Sequence, residues 1–197
     1  MVGSLLFGEV KLTTNILMSK IIDLETFRQY CNYEEEGTDD LCNIYIESAE
    51  NIVSEYLGYS PIVTSYEEIV VGIGSDKLFT RVPHIEEFSY VMEVDTEEIL
   101  SDLVANEECI YSRNYKEVFE EGKKYKVVYD GGWKKAAIPS DIKMAILRIS
   151  SLMLTESSGN VGLTSKSNLD TTRSFYNYTN YQKFLQPLLP YRSKAII

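Results

Sequence analysis

Lys126–Glu156 reads KVVYDGGWKKAAIPSDIKMAILRISSLMLTE, and this stretch decides the fold. Tyr125, Val127 and Tyr129 alternate with Lys124, Lys126 and Val128, the period of two expected of a strand with one buried face. Asp130-Gly131-Gly132 ends the strand, because glycine reaches positive φ without a Cβ clash. Pro139-Ser140-Asp141 then starts a helix, with Ser140 as N-cap and Asp141 where the helix dipole favours an acid. Ile142, Ala145, Ile146, Ile149, Leu152 and Met153 recur at helical spacing, so one broad apolar stripe faces a core. Gly159 is the expected helix stop, after Ser157 and Ser158.

The same residues carry a family resemblance. Val127, Tyr129, Gly132 and Trp133, a short polar gap, and then Ile138, Pro139, Asp141, Ile142, Lys143, Ala145 and Ile146 resemble the late segment of tailed-bacteriophage head–tail connector proteins, also called adaptor or head-completion proteins. Upstream, Ala49, Ile52, Tyr56, Leu57 and Gly58 form a helix ending similar to that family's. Phe79-Thr80-Arg81-Val82-Pro83, a strand and an acidic turn resemble its variants with a small β-domain. The resemblance covers most of residues 22–155, in order.

The composition permits one good core: 197 residues, 44% hydrophobic and 25% charged. No apolar run approaches the roughly 20 residues that span a bilayer. Residues 1–21 read as an N-terminal extension, either disordered or an over-called start, with Met1 and Met18 both open as the first residue. The segment lacks a positive region ahead of Leu5-Leu6-Phe7 and a clear cleavage site, which argues against a secretory signal. Cys31, Cys42 and Cys109 form no CxxC pair and are odd in number, so free thiols in a reducing compartment are expected.

The net charge of −11 is unevenly spread. Residues 1–130 hold ten Lys/Arg against twenty-seven Asp/Glu, while residues 131–197 hold nine against three. Repeated copies can exploit such asymmetry by setting acidic faces against basic ones. The bland reading, that these charges only solubilise, holds for most of them.

Along the chain, Leu24, Phe27 and Tyr30 mark a short amphipathic helix over 23–30. Glu34–Asp40 reads as an exposed acidic loop without the spacing of a calcium loop. Thr38 or Asp39 caps a second helix to about Leu57, with Leu41, Ile44, Tyr45, Ala49, Ile52, Val53, Tyr56 and Leu57 as its stripe. Residues 62–130 switch to a period of two. Tyr66–Ile73 reads as a strand that turns at Gly72-Ile73-Gly74 into a hairpin partner over Lys77–Val82. Phe88, Tyr90, Met92 and Val94 read as the inward face of another strand, and Cys109-Ile110-Tyr111 as a further one. Beyond Gly159 the Ser/Thr/Asn-rich segment reads as a loop, and Phe175, Tyr178, Tyr181 and Leu185 as a last helix over 172–186. Pro187 and Pro190 then hold an extended C-terminal arm over 187–197.

Catalytic and metal chemistry find no support. The single histidine, His84, has no evident companion, and the cysteines lack zinc spacing. Gly72 and Gly74 precede no Lys-Ser/Thr and no helix, so they make no phosphate loop. Neither a catalytic residue, a metal nor a cofactor is assigned. The fold class is α+β: a small helical bundle with a β-rich insertion at 62–130, within a single domain of residues 22–197.

The resemblance implies a non-enzymatic virion protein, assembled in the host cytoplasm. Copies would form a ring beneath the portal protein, dodecameric by analogy. The ring would pass double-stranded DNA without specific binding and dock a downstream tail or neck protein, with no membrane role. It also implies a portal-binding C-terminal arm: Pro187, Leu188, Leu189, Pro190 and Tyr191, with Arg192 and Lys194 as donors and Ile196 and Ile197 at the tip. Trp133, Lys134, Lys135, Arg173, Tyr178 and Tyr181 are the candidates for contacts between subunits. The alternatives are another neck or tail-completion protein, or a small acidic cytoplasmic regulator that binds a basic partner.

Overall fold

The computed structural model describes residues 21–35, 37–114, 119–157, 165–168, 171–174 and 181–193. They fall into two compact units, one drawn from 19–57 and 138–192, the other from 58–137 together with Ser193. The β-rich insertion expected from periodicity is thus a unit of its own.

The first unit is helical. α1 (Leu24–Cys31) opens on Asp23, whose carboxylate accepts the Thr26 N–H at 2.7 Å, and closes on Asn32 in the left-handed region. Phe27 is its fully buried residue, whereas Tyr30 is exposed. Arg28 pairs with Asp39 and donates to the Glu35 carbonyl at 3.2 Å, which ties down the acidic loop. α2 (Asp39–Leu57) buries Cys42, Ile46, Ala49, Val53 and Leu57. This differs from the expected stripe at its start: Leu41 and Ile44 are 42% and 55% exposed. Ala49, Val53 and Leu57 belong to both faces, but ahead of them Cys42 and Ile46 form an apolar row beside Leu41 and Ile44, and periodicity alone cannot rank the two.

α3 (Ser140–Ser157) packs chiefly on α2 and buries Ile142, Ala145, Ile146 and Ile149, as the stripe requires. It starts at Ser140, the residue expected to cap it, so the cap position moves back to Pro139. The Pro139 carbonyl accepts the first helical bonds, from Ile142 N–H at 3.1 Å and Lys143 N–H at 3.3 Å. The expected stop at Gly159 lies outside the described residues.

Past α3 two expectations are corrected. Within the predicted loop, β7 (Ser165–Asn168) and β8 (Thr171–Ser174) form a two-stranded antiparallel ribbon. Of the predicted last helix over 172–186, residues 172–174 belong to β8, 175–180 lie outside the described residues, and the remainder forms α4 (Tyr181–Leu185), followed by a 3-10 turn at Gln186–Tyr191. The arm is therefore not extended over 187–191. Proline's fixed φ suits an extended chain and the first turn of a helix equally. The fully buried Leu188 goes with the folded alternative.

The second unit is built on antiparallel strands. β1 (Thr64–Val71), β6 (Lys124–Gly131) and β3 (Ile85–Glu93) form one sheet in the order β1-β6-β3. β2 (Lys77–Leu78), β5 (Ile110–Ser112) and β4 (Leu103–Ala105) form another, in the order β2-β5-β4. The expected hairpin between β1 and 77–82 is absent. Gly72 lies against the 119–123 segment instead, its N–H donating to Lys123 O at 2.8 Å. A Cβ on Gly72 would stand 2.2 Å from Glu120 O, so the close approach demands glycine. In β3 the facing is also corrected. Ile85, Val91 and Glu93 are buried while Phe88, Tyr90 and Met92 are only half-buried, because two register shifts break the alternation.

The inner face of the first sheet carries Tyr66, Tyr125, Val127 and Tyr129, all buried. Among them sits Glu68, which accepts the Arg81 N–H and the Tyr129 hydroxyl, both at 2.9 Å. Desolvation is the main influence on its carboxyl and holds its pKa above the usual range, with the two hydrogen bonds opposing. In the window between the ordinary carboxylate value and this raised one, the folded chain binds more protons than the unfolded. Glu68 therefore lowers stability as pH rises through that window. Glu68→Gln keeps an acceptor for both donors and removes the titration. Its urea midpoint is expected to match or exceed wild type at pH 7, with the gap closing toward pH 4; a gap that widens toward pH 4 contradicts this assignment.

Candidate assembly surfaces

The aromatic motif after β6 organises the site at one end of the β unit. Gly132 N–H donates to His84 O at 2.9 Å, Trp133 N–H to Pro61 O at 2.8 Å, and Val63 N–H to Trp133 O at 3.1 Å. These backbone bonds fix Trp133 beside two rings. His84 stacks on it at 5.0 Å between centroids with 16° between planes, and Tyr59 lies tilted at 6.1 Å. Glu107 Oε2 lies 3.9 Å from His84 Nδ1, an ion pair only when the imidazole is protonated. Trp133 remains half-buried.

Of the other interface candidates, Lys134 is exposed and paired with Glu86, and Lys135 is exposed on the 3-10 turn Lys135–Ala137. The hydrogen bond from Lys134 is the main reason the Glu86 carboxyl titrates below its usual range. Tyr181 is half-buried at the start of α4, and Arg173 sits in β8 at the register position opposite Lys166. Tyr178 lies outside the described residues. Trp133, Lys134 and Lys135 are therefore contiguous, whereas Arg173 and Tyr181 belong to the other unit. Sequence reasoning missed His84 and Tyr59 as neighbours of Trp133, and Glu107 as the neighbour of His84. Nothing in the local pattern around His84 points to a residue 49 positions away.

The C-terminal candidates divide. Leu188 is core, Tyr191 is half-buried, and Pro187, Leu189 and Pro190 are exposed, Leu189 by 61%. Arg192 Nε donates to Tyr56 O at 3.0 Å while its guanidinium lies 4.9 Å over the Tyr56 ring. Ser193 is buried and its hydroxyl donates to Arg81 O at 2.7 Å. Lys194, Ile196 and Ile197 lie outside the described residues.

The three thiols are free, Cys42 and Cys109 buried and Cys31 half-buried, and burial pushes the Cys31 and Cys109 thiols up. Among the described residues no cluster of His, Cys, Asp and Glu could hold a metal, and no helix is long and apolar enough to cross a membrane.

A family model described as head completion protein matches residues 20–154. The fold is similar to a chain in the neck of the native gene transfer agent particle computed with C12 symmetry, with a TM-score of 0.58 at 11% identity, over 94% of this chain and 96% of that one. It is also similar to a chain in the virion of the native gene transfer agent, with a TM-score of 0.56 at 10% identity, over 93% of this chain and 95% of that one. No curated protein sequence matches.

Proposed function

The chain belongs to the head completion protein family, structural head–tail connectors, and on that premise we propose that its copies close into a ring beneath the portal protein. The carrying observation is that the family match runs unbroken through α1, α2, the whole β unit and most of α3. The proposed ring is dodecameric. It prolongs the DNA channel of the virion neck and offers its far side to a tail or neck protein. It works by geometry and charge rather than by a reaction. Each copy presents two different surfaces that meet head to tail around the ring, and a predominantly acidic chain lets DNA slide without sticking. Trp133, with the Lys134–Lys135 pair beside it, is assigned to the contact between neighbours, since half-buried tryptophans are frequent interface anchors.

Native mass measurement and electron microscopy of the purified chain, alone and with portal assemblies, test this reading. Closed rings that co-migrate with the portal are expected. A chain that stays monomeric in both conditions and captures a basic cytoplasmic protein contradicts it and favours the regulator.

The portal contact is assigned to the exposed Leu189 together with residues 194–197. A chain ending at Ser193 keeps the buried Leu188, the Arg192–Tyr56 bond and the Ser193–Arg81 bond. It is expected to fold and form rings, yet lose portal binding by at least about tenfold, the equivalent of 1.4 kcal/mol. Unchanged docking by that chain and by Leu189→Asp places the contact elsewhere.

A further inference from the structure

The sheet β1-β6-β3 has two edges, and the fold treats them differently. The β3 edge carries two register shifts and is covered. Leu100 N–H donates to Val91 O and Glu93 N–H to Glu98 O, both at 2.9 Å, and Met92 and Ile99 form an antiparallel bridge. Bulges and covering segments are the usual means of disarming an edge. Among the described residues the β1 edge has neither a bulge nor a covering strand. Its eight residues pair with β6 in unbroken register, and Thr64–Val71 contains neither proline nor lysine. Because Gly72 directs its N–H at Lys123 O, strand alternation turns the N–H and C=O groups of Val71, Ile69 and Glu67 away from β6. Ile69 and Val71 are also 42% and 44% exposed. Among the described residues no strand pairs with this edge.

The β7–β8 ribbon poses the complementary problem. It pairs with no third strand among the described residues, and an isolated two-stranded ribbon is marginal in water. Lys166 and Arg173 occupy facing register positions in it. We propose that the ribbon of one copy adds to the open β1 edge of the next, carrying the sheet across the subunit boundary. Hydrogen-bonding complementarity and charge both favour this occupant. Glu67 lies on the open edge and pairs with Lys126 at 2.8 Å, and the ribbon's sequence brings two further cations, Lys166 and Arg173. The surrounding segment 58–137 carries sixteen Asp/Glu against nine Lys/Arg. A head-to-tail ring requires two unlike surfaces that fit each other, and strand addition to an open edge supplies such a pair. The inference deepens the ring reading and rests on it.

The test assembles a mixture of isotopically light and heavy chains and treats it with a carbodiimide, which joins a carboxylate to a lysine in direct contact. A Glu67–Lys166 link between light and heavy chains is expected. In parallel, Ile69→Pro removes one outward N–H and leaves the β6 bonds in place, and Ile69→Lys places a charge on the edge without backbone change. Both are expected to raise the concentration for half-assembly by at least about tenfold, with thermal unfolding of the unassembled subunit unchanged for Ile69→Lys. A link found only within single chains, no link at all in assembled rings, or wild-type assembly by both variants overturns the inference while leaving the ring reading intact. A wild-type chain that forms no rings overturns both.

Discussion

Ile146→Asp is expected to unfold the helical unit. Ile146 is fully buried at the middle of α3, on the face it shares with Ile142 and Ile149. Its side chain contributes about 1.5–3 kcal/mol by leaving water. An aspartate there forfeits that and adds the cost of burying a carboxylate with no partner, several kcal/mol even after relaxation. The backbone offers no help, since the Ile146 carbonyl already accepts the Ser150 hydroxyl at 2.8 Å besides its helical bond. Against a total stability of about 5–15 kcal/mol for a domain, the substitution leaves little or nothing. Far-UV circular dichroism and a urea titration check it, with Ile146→Val as a control expected to cost about 0.5–1.5 kcal/mol. A soluble Ile146→Asp chain with the wild-type midpoint shows that this face of α3 is not core.

The α3 stripe was legible because only one face of that helix is continuously apolar, so period and burial agree. In α2 the expected stripe agrees with the buried face at Ala49, Val53 and Leu57 but not at Leu41 and Ile44, which are exposed, because Cys42 and Ile46 offer a competing apolar row at the start of the helix. Only the packing partner decides between them. Strand identity was legible in 62–130, but strand pairing was not. β1 pairs with β6, some sixty residues away, rather than with its neighbour β2, and no local pattern encodes that choice. The alternation in β3 misled for a related reason: both of its faces carry large apolar residues, and two register shifts turn Val91 inward in place of Met92. At the C-terminus the fixed φ of the two prolines fits an extended chain but equally admits the 3-10 turn that buries Leu188. Trp133 stands out in the sequence as the aromatic after a glycine turn, whereas its stacking partner His84 is visible only in three dimensions.

The second large effect is expected at Gly132, the residue that aims Trp133. Its φ is +103°, which L side chains rarely adopt, and that strain alone costs about 1–2 kcal/mol. A Cβ would also stand 2.9 Å from both C and O of Ile62 and 3.0 Å from Ser60 O. These are backbone atoms, so no rotamer change relieves the contact. Either 60–62 or 131–133 must move, and the movement strains the bonds His84 O, Pro61 O and Val63 N–H make with Gly132 and Trp133. Each such bond is worth about 1 kcal/mol net, so the total loss is expected to reach several kcal/mol. Gly122→Ala separates the two causes, because Gly122 has φ +81° and nothing within 4 Å of its would-be Cβ. It should lose only the conformational part. Trp133 is the one tryptophan in the chain, so its emission reports the indole directly. Gly132→Ala is expected to shift that emission toward the solvent-exposed wavelength and lower the urea midpoint well below that of Gly122→Ala. Equal midpoints for the two variants, with unshifted emission, would mean that the backbone approach at Ile62 does not hold the tryptophan in place.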